Sequence, residues 1–313
     1  MPYRHTPVML KEVLEYLRPR PGGNFIDCTL GGGGYTFAIA KAVAPGGKVL
    51  AIDLDEMAIK NWQTPDLGPR FNNIIIAHDN FKNLQKIVEE YFEAGAKFNG
   101  IVFDLGLSSA QLEDRARGFS FSLAGAPLSM NFGQTGETAE NIINSRSAED
   151  LAKIFKDYGE EKFAYKVALA IAEERRTGRI TTTDQLVKII LSAIPKRFQS
   201  KIHPATKIFQ ALRIAVNREL ENLRAVLPQA VSLLKPGGKL IVISYHSLED
   251  RIVKQYFRQE SKDCLCPPVA PICQCGHKAS LKILTHPILR PTGEEVLKNP
   301  KARSAKLRAI IKI

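Results

Sequence analysis

The chain has 313 residues, 44% of them hydrophobic, which is enough for one large or two ordinary domains with real cores. A formal charge of +12 favours a polyanionic partner, although charge alone does not separate a nucleic-acid binder from a generic basic protein, and five cysteines in this length exclude a secreted disulfide framework. The longest apolar runs, such as KLIVIS at Lys239–Ser244, are far too short to cross a bilayer, and MPYRHTPVML lacks the apolar stretch of a secretory signal, so a cytoplasmic protein with no membrane attachment is expected.

In chain order, NFIDCTL (Asn24–Leu30) reads as a strand and TFAIAKAV as the helix after it. KVLAIDLD (Lys48–Asp55), a strand within NNIIIAHDNF (Asn72–Phe81) and FNGIVFDLG (Phe98–Gly106) continue the pattern of a doubly wound parallel α/β sheet. The pattern then breaks. From about Gln111 to Ala205 the chain runs through a glycine-rich loop into helices: Leu151, Ile154, Phe155 and Tyr158 share one helical face behind Ser147 and Asp150, and DQLVKIILSAI stops before Pro195. This block reads as a helical insertion, residues 111–205, within a discontinuous domain made of residues 1–110 and 206–313. The sheet resumes after a long helical stretch from Thr206 to Leu234, expected to bend or split at Pro228, with LLKPGGKLIVIS and a last strand, AKLRAIIKI.

The glycines of DCTLGGGGY lie between the first strand and its helix, and their spacing narrows their use. A P-loop needs G-x-x-x-x-G-K-[ST], and no Lys-Ser or Lys-Thr follows them. The dinucleotide fingerprint G-x-G-x-x-G begins at Gly31 and Gly33 but finds Thr36 in place of the third glycine. An acid at the end of the second strand, Asp53, suits a ribose diol in either a nicotinamide or an adenosylmethionine site. The Pro-Gly-Gly turn before KLIVIS resembles the turn before the fifth strand of class I methyltransferases. A wide glycine turn also suits a ligand with a basic amino-acid tail better than one with a pyrophosphate. A methyltransferase is therefore favoured over a dehydrogenase.

Longer stretches make the resemblance specific: HTPVML at His5, DCTLGGGGY at Asp27, DLGLSSAQLED at Asp104, RGFSF at Arg117, KIFQALRIAVNREL at Lys207, VISYHSLEDRIVK at Val242 and NPKARSAKLR at Asn299. Together they are similar to the RsmH (MraW) family, bacterial methyltransferases of 16S ribosomal RNA that modify the exocyclic 4-amino group of a cytidine in the decoding centre. The resemblance implies a Rossmann-like class I methyltransferase domain interrupted by a helical substrate domain, S-adenosylmethionine as cofactor, and the small ribosomal subunit as partner. It leaves monomer and homodimer open. It puts Gly33, Gly34 and Tyr35 against the cofactor, Asp53 on the ribose, Phe81 beside the adenine, and Asp104 and Gln111 near the methionine end. A core aromatic remains the alternative for Phe81, and a helix cap for Asp104.

The chemistry to be served is the attack of a delocalised aromatic amine on a sulfonium methyl. Such a site must align the amine and accept its protons. Asp104, with Ser108 or a nearby carbonyl, is the candidate acceptor, because the Asn/Asp-Pro-Pro-aromatic motif of other amino-methyltransferases is absent. His246 is a second candidate for the base or the proton, against a structural role at a strand end. Arg115 and Arg117, Arg175, Arg176 and Arg179, and Lys301, Arg303, Lys306 and Arg308 form basic clusters able to neutralise phosphates. The chain departs from the family's pattern at Tyr35, where His is common, at Lys207, where Arg is usual, and in APLSMNF, where Ser129 and Asn131 replace an acid and an arginine. That last change supports the runner-up reading, a non-catalytic RNA-binding or assembly protein on the same scaffold. Finally, Cys264, Cys266, Cys273 and Cys275, with His277 nearby, form C-x-C, a six-residue gap and C-x-C. The usual structural zinc spacing is C-x-x-C, so these are expected to be reduced loop thiols, with no metal.

Overall fold

In the computed structural model the described residues are 7–62, 71–133, 136–199, 203–267, 270 and 272–313. His5 and Thr6 of HTPVML lie outside them, as does part of PPVAPI between the cysteines. The chain divides into two compact units: residues 1–106 with 220–313, and residues 107–219.

The first unit opens with α1 (Leu10–Leu17), β1 (Phe25–Asp27), α2 (Gly34–Val43), β2 (Val49–Asp53), α3 (Glu56–Trp62), β3 (Ile74–His78), α4 (Leu84–Tyr91) and β4 (Phe98–Asp104). The second contains α5 (Ser109–Glu113), α6 (Ala139–Ser145), α7 (Ala148–Gly159), α8 (Ala164–Glu174), α9 (Thr183–Ala193) and α10 (Ala205–Asn217). The chain then adds α11 (Glu219–Leu233), β5 (Leu234–Ser244), α12 (Ser247–Glu260), β6 (Leu281–Ile283), α13 (Gly293–Lys298) and β7 (Lys306–Lys312).

The strands form one seven-stranded sheet in the order β3-β2-β1-β4-β5-β7-β6. Neighbours from β3 to β5 run parallel, while β7 is antiparallel to both β5 and β6. The parallel strands read as continuous apolar runs because helices cover both faces of such a sheet: Ile26, Leu50, Ile52, Ile101, Val102 and Phe103 are all fully buried. Strand order reverses between β1 and β4, so the carboxyl ends of β1, β2 and β4 meet at a topological switch point, where open α/β sheets bind ligands.

Three details differ from the expectations. Lys235–Gly238 does not turn outside the sheet: Phe98 pairs with Leu234 and Gly100 with Lys239, so the Pro-Gly-Gly segment is a bulge within β5, with Gly237 at φ +79°. The long helical stretch breaks at Arg218, not at Pro228, which lies inside α11. Arg218 takes a left-handed conformation at φ 51° and caps α10, while a bidentate pair from Arg213 to Glu219, 2.9 Å at each contact, holds the corner. The insertion accordingly runs to residue 219 rather than 205, because α10 buries Ile208, Phe209, Ala211 and Leu212 in the same core as Leu151, Phe155, Val167, Ile171, Leu186 and Ile190. Ser147 caps α7 as its sequence indicates, accepting from the Asp150 amide at 3.0 Å.

Candidate active site

Three carboxylates end three adjacent parallel strands. Asp27 closes β1, Asp53 closes β2 and Asp104 closes β4. Asp27 is fully buried and serves the glycine turn: it accepts the Thr36 hydroxyl at 2.7 Å and the Thr29 amide at 3.1 Å. Thr29 in turn accepts the Asp104 amide at 2.8 Å, tying the ends of β1 and β4 together. Each oxygen of Asp53 accepts a backbone amide, Gly31 N–H on one and Asp55 N–H on the other, both at 2.8 Å, and the Leu54 amide also favours the charged carboxylate. About four lone-pair sites against three amides leave acceptor capacity for a ribose hydroxyl. One oxygen of Asp104 accepts the Tyr245 hydroxyl at 2.7 Å.

Burial dominates the electrostatics. It raises the Asp27 carboxyl to about 7 against the hydrogen bonds from Thr36 and Thr29, and Asp104 and Asp53 push the same way. Asp53 is raised to about 6 by burial, with the amides of Asp55 and Gly31 opposing. Asp104 is also raised to about 6 by burial, with the Tyr245 hydroxyl opposing and Glu249 adding to the rise. Above about pH 6, with Asp53 and Asp104 mostly ionised, the edge carries negative charge. It repels a pyrophosphate and attracts a cation, and a sulfonium bearing an ammonium group is the kind of ligand it fits. This disfavours the nicotinamide reading, which the glycine spacing had left partly open.

The glycines divide their work. Gly31, at φ +47°, has nothing closer to an added Cβ than Thr29 O at 3.9 Å, so its missing side chain leaves open room beside Asp53. Gly33 and Gly34, the residues the resemblance put against the cofactor, are small for internal reasons: a Cβ at Gly33 would meet the Phe37 ring at 3.0 Å, and one at Gly34 the Pro7 ring at 2.7 Å. Tyr35 is buried, and its hydroxyl donates to the Val8 carbonyl. Phe81 begins a 3-10 turn beyond β3, and its ring meets that of Phe103, one residue before Asp104, in a T-shaped pair with centroids 5.6 Å apart.

His246 caps α12 in a capping box. Its Nδ1 accepts the Glu249 amide at 3.4 Å, while Glu249 Oε2 accepts the amides of Tyr245 and His246. Its Nε2 lies 3.1 Å from Glu249 Oε1, at an angle that makes no hydrogen bond. In the second unit, Ser108 and Gln111 form another such box: Ser108 Oγ accepts the Gln111 amide at 3.2 Å, and Gln111 Oε1 accepts the Ser108 amide at 2.9 Å. The cap of α5 is therefore Ser108, leaving Asp104 free of that duty.

Sequence reasoning passed over Gly31, Asp27 and Tyr245. Gly31 and Asp27 were in view as members of the motif, but an acid within an apolar run reads simply as a strand end. Tyr245 lies 141 positions from its partner Asp104. Several basic candidates spend donors internally: Arg117 on the carbonyls of Asn131 and Phe132, Arg175 on Ile143 O, Arg179 on Glu140, and Lys306 and Arg308 on Asp250. In the altered loop, both ends of the Asn131 amide hold the turn itself, accepting from Gly133 N–H at 2.7 Å and donating to Glu137 O at 3.1 Å. Lys207 donates to Glu160 O at 3.0 Å. No helix among the described residues is long and apolar enough to cross a membrane.

A family model described as the MraW methylase family matches residues 2–313. The chain is 51% identical over 311 residues, 99% of its length and 94% of the relative's, to the ribosomal RNA small subunit methyltransferase H of Thermomicrobium roseum. It is 46% identical over 312 residues, 98% of each chain, to the protein of that name from Syntrophotalea carbinolica. Among solved structures it is similar to a Streptococcus mutans protein in complex with SAH, with a TM-score of 0.46, 10% identity, and coverage of 99% of this chain and 100% of that one. The sheet order, the cation-attracting carboxylate edge and a match over nearly the whole length converge: this chain belongs to the MraW methylase family and is an S-adenosylmethionine-dependent methyltransferase with a Rossmann-like class I fold.

Proposed function

We propose that the protein methylates the exocyclic 4-amino group of a cytidine in the decoding centre of 16S ribosomal RNA, acting on the small ribosomal subunit in the cytoplasm. The reading is supported by the relatives' name, ribosomal RNA small subunit methyltransferase H, and by the formal charge of +12. The observation that carries it is Asp104: a strand-end carboxylate at the switch point, with one oxygen fixed by Tyr245. In this reading the unit of residues 107–219 is the RNA-substrate domain.

S-adenosylmethionine supplies an electrophilic methyl group on a positively charged sulfur. The backbone at Gly31 leaves room for the ligand, Asp53 takes the ribose hydroxyls, and Phe81 offers an apolar face to the adenine. Tyr245 fixes one carboxylate oxygen of Asp104, whose remaining lone pairs accept the amine's protons and turn its nitrogen lone pair out of conjugation. Ser108 keeps a hydroxyl proton beyond its capping role, and His246 holds the chain entry to α12 close to Tyr245. The cytidine must leave its stack to reach such a site.

Small subunits from a strain lacking the modification, incubated with labelled S-adenosylmethionine and digested to nucleosides, test this. The expected product is 4-amino-methylated cytidine, abolished by Asp104→Ala with folding retained. Label on another nucleoside overturns the substrate assignment, and full turnover by Asp104→Ala overturns the acceptor role. Cofactor binding without any incorporation favours the RNA-binding or assembly role and makes Ser129 and Asn131 the residues to revert.

A further inference from the structure

The expectation of loose thiols rested on the tightness of C-x-C spacing. The fold brings the four sulfurs together nonetheless: Cys264, Cys266, Cys273 and Cys275 place their Sγ atoms all within 4.8 Å of one another. Cys264 and Cys273 are 3.4 Å apart, Cys273 and Cys275 3.6 Å, and Cys264 and Cys275 3.8 Å. A tetrahedral Zn–S₄ centre with bonds of about 2.3 Å has sulfurs about 3.8 Å apart, whereas a disulfide brings them to about 2.05 Å. The three spacings among Cys264, Cys273 and Cys275 are close to those of ligands around a common centre, and the Cys266 sulfur lies within 4.8 Å of each of them.

The surrounding backbone is arranged as thiolates require. Amides of Leu265, Cys266 and Gln274 point at the sulfurs of Cys275, Cys264 and Cys266 at 3.3, 3.4 and 3.3 Å. His277 is not a fifth claimant, because its Nε2 lies 3.2 Å from Gln259 O at the end of α12. The donor set is therefore four sulfurs, the soft set that selects Zn2+ over the oxygen-seeking cations.

A second observation is independent of the sulfurs. The connection from α12 to β6, about 20 residues, has no regular element among its described residues, a length unusual in a compact domain without a dedicated role. None of its described residues from Ser261 to Ser280 is buried, and its large apolar side chains point outward, Leu265 39% and Ile272 74% exposed. Among its described residues, no buried apolar side chain holds this loop in shape. Its base is pinned to α12 by Ser280 N–H on Glu260 O at 2.9 Å, and the four thiols converge at its tip. Small modules that lack an apolar core are organised by metal in this way.

We propose that Cys264, Cys266, Cys273 and Cys275 bind one Zn2+ as four thiolates, and that the ion serves as the core of the α12–β6 connection. Binding releases the four thiol protons and leaves a centre of net charge −2, offset by the inward amides. No electron is transferred, and the site is separate from methyl transfer.

The test is metal analysis of the full chain, purified under reducing conditions without added metal, alongside Cys264→Ser/Cys275→Ser and Cys28→Ser. Cys28 is buried and remote in sequence from the cluster. About one equivalent of zinc in the parent and in Cys28→Ser, and under about a tenth in the double variant, is expected. Removing zinc with a chelator should make cleavage within 261–280 at least about tenfold faster in limited proteolysis. Cobalt offered to the stripped parent should give the intense visible bands of a tetrahedral tetrathiolate, which keeps the test decisive if the double variant folds poorly. The proposal is overturned by stoichiometric iron in place of zinc, by disulfides among these cysteines in the reduced preparation, or by a parent that carries no zinc and takes up neither zinc nor cobalt.

Discussion

At the carboxyl edge of the sheet, Asp27, Asp53 and Asp104 are held by strands whose apolar side chains are fully buried, and burial raises their carboxyls to about 7, 6 and 6. In the α12–β6 connection, four thiols converge on a loop that buries none of its described residues. In the first region the core does the positioning and the charged groups bear a desolvation cost. In the second, the polar groups themselves do the positioning and need an ion to do it. A perturbation of the core should therefore reach the first site and spare the second, and removal of metal should do the reverse.

The largest effect expected of a substitution is at Asp104. Asp104→Asn keeps the shape but replaces one acceptor oxygen with a donor, and steady-state methyl transfer should fall by about 10²–10³ in kcat, with cofactor affinity changed far less. Stripping zinc from the parent, by contrast, should leave kcat within about twofold while the loop becomes protease-sensitive. An equal loss of both properties would erase the distinction between the regions.

Acidification comes next. Asp53 and Asp104 are raised to about 6, so both are mostly ionised at pH 8 and increasingly protonated below 6. Cofactor binding, measured by calorimetry, should weaken by about tenfold or more between pH 7.5 and 5 as the negative edge is lost. Tyr245→Phe sharpens this: its hydroxyl is the first of the groups that lower the Asp104 carboxyl, so its removal should move the acid limb of the pH–rate profile upward, with a loss in kcat of about tenfold or less. A variant with lower rate but an unmoved limb would make Tyr245 a packing residue only.

The remaining effect is on stability rather than on activity. Folding raises Asp27 from 3.8 to about 7, so the native state holds its proton more tightly than the unfolded chain. The resulting penalty is absent below pH 4, develops as pH rises from 4 to 7, and is complete above 7, at about 4 kcal/mol or less. Asp27→Asn carries no charge and should flatten this part of the stability–pH curve in chemical denaturation. A slope unchanged from the parent would mean that Asp27 does not titrate in this window.

The sheet was legible because a parallel strand covered on both faces is an unbroken apolar run ended by a turn, as in FNGIVFDLG. β6 was not: three residues, Leu281–Ile283, carry no period, and they are strand only because β7 pairs with them. Pro228 looked like the helix breaker because proline is conspicuous, whereas the break at Arg218 depends on a left-handed backbone and on Glu219 receiving Arg213. Within the site, Asp53 and Asp104 stood out as acids ending apolar strands. The bond between Tyr245 and Asp104 joins distant segments, and no spacing rule reaches it. The cysteines were visible by type and misleading by interval, since sulfur convergence depends on the path of the intervening loop.

The position of β7 has a consequence for how the molecule is made. Lys306–Lys312 lies between β5 and β6, and its Arg308 and Lys306 close on Asp250 of α12 at 2.8 and 3.3 Å. During synthesis, residues 107–219 are complete and contiguous long before this strand emerges from the ribosome, while β5 waits with Leu240, Ile241, Val242 and Ile243 along an unpaired edge. The nascent chain thus passes through a stage with an open, aggregation-prone sheet edge, and the basic residues that close it are made only after β5 and α12.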